Sequence, residues 1–145
     1  MRHANAAAFS PGGSDANRPL SAKGIEAAGR AGHVLKTRGV TPAKILTSPK
    51  LRAVQTAEIL AEILGATTEK TPELGGAANI LEVWNFIKNL AAEGKNIVAI
   101  GHNPDISGLV TALVNAHISL NPAEFAVVRF SDDFKTAELE PINPL

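Results

Sequence analysis

Apolar positions along this chain alternate between helical spacing and short unbroken runs. Ile25, Ala28, Gly32 and Leu35 recur at three- and four-residue intervals behind Ser21. With Ser21 as N-cap, they predict a helix that turns these residues toward the core and stops near Gly39. Lys44-Ile45-Leu46-Thr47 is a short apolar strand. Ser48-Pro49 then reads as an N-cap followed by proline at the first helical position. The helix it opens carries Val54, Ala57, Leu60, Ala61 and Leu64 on one face, with Gly65 as its stop. A third helix follows from Ile80, Val83, Trp84, Ile87, Leu90 and Ala91, ending at Gly94, with Trp84 as a core anchor. The unbroken run from Asn96 to Ile100 is of the kind buried on both faces of a sheet. Asp105 can cap a helix through Leu109, Leu113 and Val114. Two strands, 126–130 and 137–140, flank a turn at Ser131-Asp132-Asp133. By contrast, Phe9 to Asn17 is rich in turn formers without apolar period and reads as a surface loop. Strands alternating with helices predict an α/β fold: a three-layer sandwich whose mostly parallel central sheet is flanked by helices.

Composition narrows the function without choosing it. With 145 residues and 45% hydrophobic content, the chain can bury one ordinary core, so one domain over 1–145 is expected. Lys plus Arg and Asp plus Glu number 14 each, so no overall field favours nucleic acid or an anionic membrane, and any anion site must be local. The absence of cysteine excludes disulfides, thiolate catalysis and Cys-ligated zinc, and fits a reducing cytoplasm, the expected location. No apolar run has the roughly 20 residues a spanning helix needs. Asn5, Ser10 and Pro11-Gly12-Gly13 interrupt the start too early for a secretory signal.

Three pieces place cationic or titratable residues where strands give way to loops: Arg2-His3, Ser48-Pro49-Lys50-Leu51-Arg52, and Gly101-His102-Asn103-Pro104. Ligands bind at the carboxyl ends of strands in open α/β sheets. If the strands are parallel, Arg2, His3, Arg52 and His102 can converge on one anion-selective cradle that suits a phosphoryl group. Each piece alone has an ordinary structural explanation, such as a frayed terminus for Arg2-His3 or a packing role for His102. Their joint occurrence in this order carries the argument. His33 and His117 have no partner at ligand spacing, so no metal and no other cofactor is expected.

Arg2-His3-Ala4-Asn5-Ala6, Arg18-Pro19-Leu20-Ser21-Ala22-Lys23-Gly24, Leu46-Thr47-Ser48-Pro49-Lys50-Leu51-Arg52-Ala53-Val54-Gln55-Thr56-Ala57, Pro72-Glu73-Leu74 and Gly101-His102-Asn103-Pro104 resemble the histidine phosphatase (phosphoglycerate mutase-like) superfamily. The likeness is greatest to its short bacterial phosphohistidine phosphatases of the SixA type and runs from Met1 to about Val114. It implies a phosphoglycerate mutase-like fold and a phosphatase in which His3 takes the phosphoryl group. It also implies phosphate binding by Arg2, Arg18 and Arg52, with His102 as the second histidine on the phosphoryl group. Glu73 falls where larger relatives carry a carboxylic proton donor, or is simply a solvated residue after Pro72. Ala4 replaces the family's usual glycine. Relatives carry about five apolar residues before Arg-His as a central strand, a usual strand length, and the expectation is that the native chain begins upstream of Met1. The expected substrate is phosphohistidine on a phosphotransfer protein, with inorganic phosphate as product. The alternatives are a small phosphate ester, handled by a phosphomonoesterase or mutase-like enzyme, and a phosphate-binding signalling module without turnover. Nucleic acid and membrane are not expected partners.

Overall fold

The computed structural model describes residues 1–10, 12–76, 79–91 and 96–140. Ile45, Leu46 and Thr47 are almost inaccessible because β1 (Lys44–Thr47) is the middle strand of a parallel sheet, between β2 (Thr67–Lys70) and β3 (Ile97–Ile100). Successive side chains of a strand point to opposite faces. Ile45 therefore joins Leu35, Ala53, Leu60 and Ile100 beneath α1 (Ala22–Thr37) and α2 (Leu51–Leu64). Leu46 joins Leu74, Val83, Ile106 and Leu109 on the other side, beneath α3 (Ile80–Ala91) and α4 (Asp105–Val114). Helices on both faces make three layers, as the alternating pattern predicts. A hairpin of β4 (Val128–Phe130) and β5 (Ala137–Leu139) pairs separately and antiparallel. The ring of Trp84 packs on Phe130 at 5.1 Å between centroids, so it anchors α3 to this hairpin.

Several expectations need correction. Ile25 faces solvent with 53% of its surface exposed, because α1 turns Gly24, Ala27, Ala28, Ala31, Gly32 and Leu35 inward. That face is built from small residues because α2 packs closely on it: a Cβ at Gly32 would meet Ile63 Cδ1 at 2.7 Å. The N-cap of α2 is Lys50, while the Ser48 hydroxyl accepts from the Lys50 N–H one step earlier. Asp105 is the first helical residue of α4, which Pro104 precedes as N-cap. The polar strand β2, exposed at all four positions, is an addition to the predicted elements. In β3 only Ile100 is buried. Ile97, Val98 and Ala99 border an open groove of about 740 Å³ whose other wall includes Val127 and Phe130. The side chains at 90 and 91 and the stop at Gly94 lie outside the described residues.

Candidate active site

Beyond β3, the first residues of the chain continue the parallel arrangement. Arg2 forms a parallel bridge with Gly101, whose carbonyl accepts from the His3 N–H at 3.1 Å. On the other flank the Arg2 N–H donates to Glu124 O, and the Ala123 N–H donates to His3 O. The next residue is tied to α2, since Thr56 Oγ1 accepts from Ala4 N–H at 3.1 Å and donates to Arg52 O at 2.7 Å. Asn5 O accepts from both the N–H and the hydroxyl of Ser21, and α1 comes so close that Gly24 leaves no room for a Cβ. His3 is thus fixed by backbone bonds on both sides at the carboxyl end of the sheet, beside Ser48 after β1 and His102 after β3.

The hydrogen bonds of His3 define its tautomer. Nδ1 lies 2.7 Å from the Ala4 carbonyl, which can only accept, so Nδ1 carries the proton and Nε2 keeps its lone pair. Arg52 Nε donates to that Nε2 at 3.3 Å. The His102 ring lies 4.8 Å away between centroids, tilted by 57°, and its Nε2 is 2.7 Å from Ser48 Oγ. Burial, reinforced by the charges of Arg52, Arg2 and Arg18, lowers the pKa of His3 to about 4, against the opposing bond to Ala4. Burial, with the charges of His3, Lys50 and Arg52, lowers that of His102 to about 3.

Both imidazoles are therefore neutral across the physiological range. Below about pH 6.5 the unfolded chain protonates histidines that the folded chain keeps neutral down to about pH 4 or 3. The unfolded state then binds more protons, so stability contributed by this pair is complete above pH 6.5 and declines as the pH falls toward 4. An NMR titration of the His3 ring should have its midpoint near pH 4, and the thermal midpoint should fall across the same window. A His3 midpoint near the ordinary 6.5 would contradict this electrostatic account.

The arginines complete the surroundings. Arg2 Nη1 donates to Leu120 O at 3.1 Å, while its Nε is buried with no hydrogen-bond partner among the described residues. Arg52 is only 7% exposed. Its Nη1 donates to Asp15 O at 2.8 Å and its Nη2 to Asp15 Oδ2 at 3.1 Å. Arg18 donates to Ala7 O through Nε and to Asp15 Oδ1 through Nη1. The two guanidiniums hold the Asp15 carboxyl below the usual carboxylate range. Glu73 is half-buried and shares a small recess with His102, Gly101 and Asp105.

Arg2, His3, Arg52 and His102 thus come together from three places in the chain. Arg18 stands behind Asp15, and Glu73 lies on the His102 side. His33 and His117 are exposed elsewhere. Sequence reasoning missed Asp15, Ser48 and Thr56 as participants. For Asp15 a signal existed: so many cations in one cradle call for a carboxylate nearby, and Asp15 lies three residues before Arg18 in the adjoining loop.

The arrangement offers an unprotonated imidazole nitrogen surrounded by anion-binding donors. The sequence profile of the histidine phosphatase superfamily (branch 1) matches residues 1–78, just over half of the chain. The chain belongs to the histidine phosphatase superfamily. Phosphohistidine phosphatase SixA of Escherichia coli (strain K12) is 33% identical over 116 residues, covering 78% of this chain and 71% of that protein. A solved structure of the protein histidine phosphatase SixA complexed with tungstate superposes with a TM-score of 0.87 at 28% identity, over 97% of this chain and 91% of that one. A mycobacterial glucosyl-3-phosphoglycerate phosphatase complexed with VO3 shares the fold at 19% identity, with a TM-score of 0.73 over 98% of this chain and 96% of its own. As a histidine phosphatase superfamily member the chain is a phosphatase enzyme with the predicted α/β architecture. No helix among the described residues is long and apolar enough to cross a membrane.

Proposed function

We propose that this phosphatase works through a phosphohistidine intermediate on His3 and that its substrate is phosphohistidine on a phosphotransfer protein. The observation that carries the reading is the tautomer of His3: with Nδ1–H given to Ala4 O, the Nε2 lone pair faces the Arg52 guanidinium and His102. Attack by Nε2 forms an N–P bond as the bond from phosphorus to the leaving imidazole breaks. The departing nitrogen keeps the electron pair and takes a proton. Charge on the three equatorial oxygens is met by Arg2, Arg52 and His102, with Arg18 completing the cradle from the loop side. His102 Nε2 lies 2.7 Å from Ser48 Oγ, and on this reading the hydroxyl donates to it, which leaves Nδ1–H for the phosphoryl group. Arg2 Nε gains the acceptor it lacks among the described residues. Water then attacks phosphorus, a proton leaves, the N–P bond breaks toward His3, and inorganic phosphate departs. On this reading residues 1–145 act as one histidine phosphatase domain and require no metal.

Two features support the protein substrate. A relative at 33% identity bears the name phosphohistidine phosphatase. The described residues between Arg52 and His102 are taken up largely by α2, β2, a short turn, α3 and β3, which leaves little chain to fold over a small ester. An imidazole leaving group also depends less on a strong acid than an alkoxide does. The position of Glu73 in the recess beside His102 favours a second reading, in which it protonates the oxygen of a small phosphate ester. Comparing kcat/KM for a phosphorylated histidine phosphotransfer protein with that for a panel of small esters separates them. A clear preference for the protein is expected. A preference for esters, lost in Glu73→Gln, would replace the first reading by the second.

A further inference from the structure

The edge of Arg52 that Asp15 occupies determines which edge remains for the phosphoryl group. A planar guanidinium presents two donor edges: one formed by the two terminal nitrogens, the other by Nε and Nη2. Asp15 closes the first, with its carbonyl on Nη1 and its carboxylate on Nη2. The second edge is then turned toward His3, where Nε already points at Nε2 over 3.3 Å. A phosphoryl oxygen bound on that edge lies next to the attacking nitrogen.

Asp15 is itself held. Its other carboxylate oxygen accepts from Arg18 Nη1 at 3.1 Å, and Arg18 Nε is anchored on Ala7 O at 2.8 Å. The backbone that carries Asp15 turns in the short segment Asp15–Asn17, whose Asn17 N–H donates to Ser14 O. A chain of charge-assisted bonds therefore runs from Ala7 through Arg18 and Asp15 to Arg52 and ends at the lone pair of His3. The Asp15 side chain is 59% exposed, so little packing depends on it, whereas the Arg52 side chain it grips is 8% exposed. An exposed carboxylate holding a buried guanidinium contributes direction more than stability.

We propose that Asp15 is a positioning residue, which sets the rotation of the Arg52 guanidinium so that its Nε and Nη2 edge receives the phosphoryl group beside His3 Nε2. This rests on the phosphohistidine reading above and deepens it, by assigning a loop carboxylate a part in a site made otherwise of cations and imidazoles. The sign of the effect separates it from simple electrostatics. Removing a negative charge from beside an anion site should by charge alone tighten anion binding. If Asp15 positions Arg52, removing it weakens binding and slows transfer instead.

The test uses the full chain with four variants, Asp15→Ala, Asp15→Asn, Arg52→Lys and the double variant Asp15→Ala/Arg52→Lys. Tungstate and inorganic phosphate serve as anion probes, and a phosphorylated histidine phosphotransfer protein as substrate. Asp15→Ala is expected to lower kcat about tenfold or more, within the range for a misplaced catalytic group, and to weaken tungstate binding, with the thermal midpoint nearly unchanged. Asp15→Asn, which retains the side-chain acceptor for Nη2, should recover most of the loss. In the Arg52→Lys background, Asp15→Ala should have no further effect on kcat, because the edge it orients is gone. Tighter tungstate binding with raised kcat/KM in Asp15→Ala would show a carboxylate that blocks the site, and would overturn the proposal. A lowered thermal midpoint with unchanged kinetics would overturn it in favour of a structural role. So would additive losses in the double variant. If wild-type protein turns over through phospho-His3 and Asp15→Ala matches it, only this inference fails. If the wild type never labels on His3, the functional reading fails first.

Discussion

Replacing Arg52 with lysine is expected to lower the rate of phosphoryl transfer by about a hundredfold to a thousandfold, the usual cost of losing one preorganised donor from a site of developing charge. Lysine keeps the positive charge but lacks the planar fork, so it cannot hold Asp15 on one edge and present Nε to His3 on the other. The surroundings of Arg52 are buried, yet its backbone carbonyl remains bound by Thr56 and α2 remains packed through Ala53, Ala57 and Leu60. The fold should therefore survive, which circular dichroism and a thermal melt would establish alongside single-turnover kinetics. A variant retaining more than a third of the wild-type rate would mean that charge without direction suffices, contrary to the geometry.

Gly24→Ala is expected to have a comparably large effect through stability. A Cβ built at this position would stand 2.0 Å from Asn5 O and 3.0 Å from Asn5 C, which are backbone atoms that cannot rotate away. Either α1 moves off the segment that follows His3 or that segment shifts, and both routes break the bonds between Asn5 O and Ser21. The cost should be about 3 kcal/mol or more, at or above the upper end for overpacking. For a chain of this size that lowers the thermal midpoint by roughly 10 °C. Gly29→Ala in the same helix is the matched control, since nothing lies within 4 Å of its added Cβ. Mid-helix replacement of glycine by alanine should raise stability by about 0.5–1 kcal/mol. If both variants melted alike, the close approach of α1 to the histidine segment would be disproved.

Much of this architecture is legible before any coordinates because its signals are local. The apolar runs at Ile45–Leu46 and Ile97–Ile100 and the spacing of Val54, Ala57, Leu60, Ala61 and Leu64 leave little choice of element, although the buried face of α2 is Ala53, Thr56, Ala57 and Leu60. Placing Arg2-His3, Arg52 and His102 just beyond strand ends is enough to expect their convergence. Other features depend on neighbours that sequence pattern does not reveal. Thr67–Lys70 is polar throughout, and becomes a strand only because the exposed edge of β1 offers it backbone partners. Ile25 obeys helical spacing but points to solvent, since α2 approaches α1 along its alanine and glycine face. Ile97, Val98 and Ala99 read as fully buried, yet beside the groove along β3 they are only partly buried. Asp15 sits in a segment whose composition announces only a turn. Its importance follows from two guanidiniums brought to it by residues 18 and 52, a coincidence of tertiary structure.

The central claim is that His3 Nε2 accepts the phosphoryl group. Rapid quenching of the protein in alkali during turnover of a phosphorylated histidine phosphotransfer protein, followed by peptide mapping, tests it most directly. The account predicts a single HPO3 adduct on His3 that is stable in base, lost in acid and missing from His3→Ala. Turnover with no adduct at any time, or an adduct that persists in His3→Ala, would contradict it.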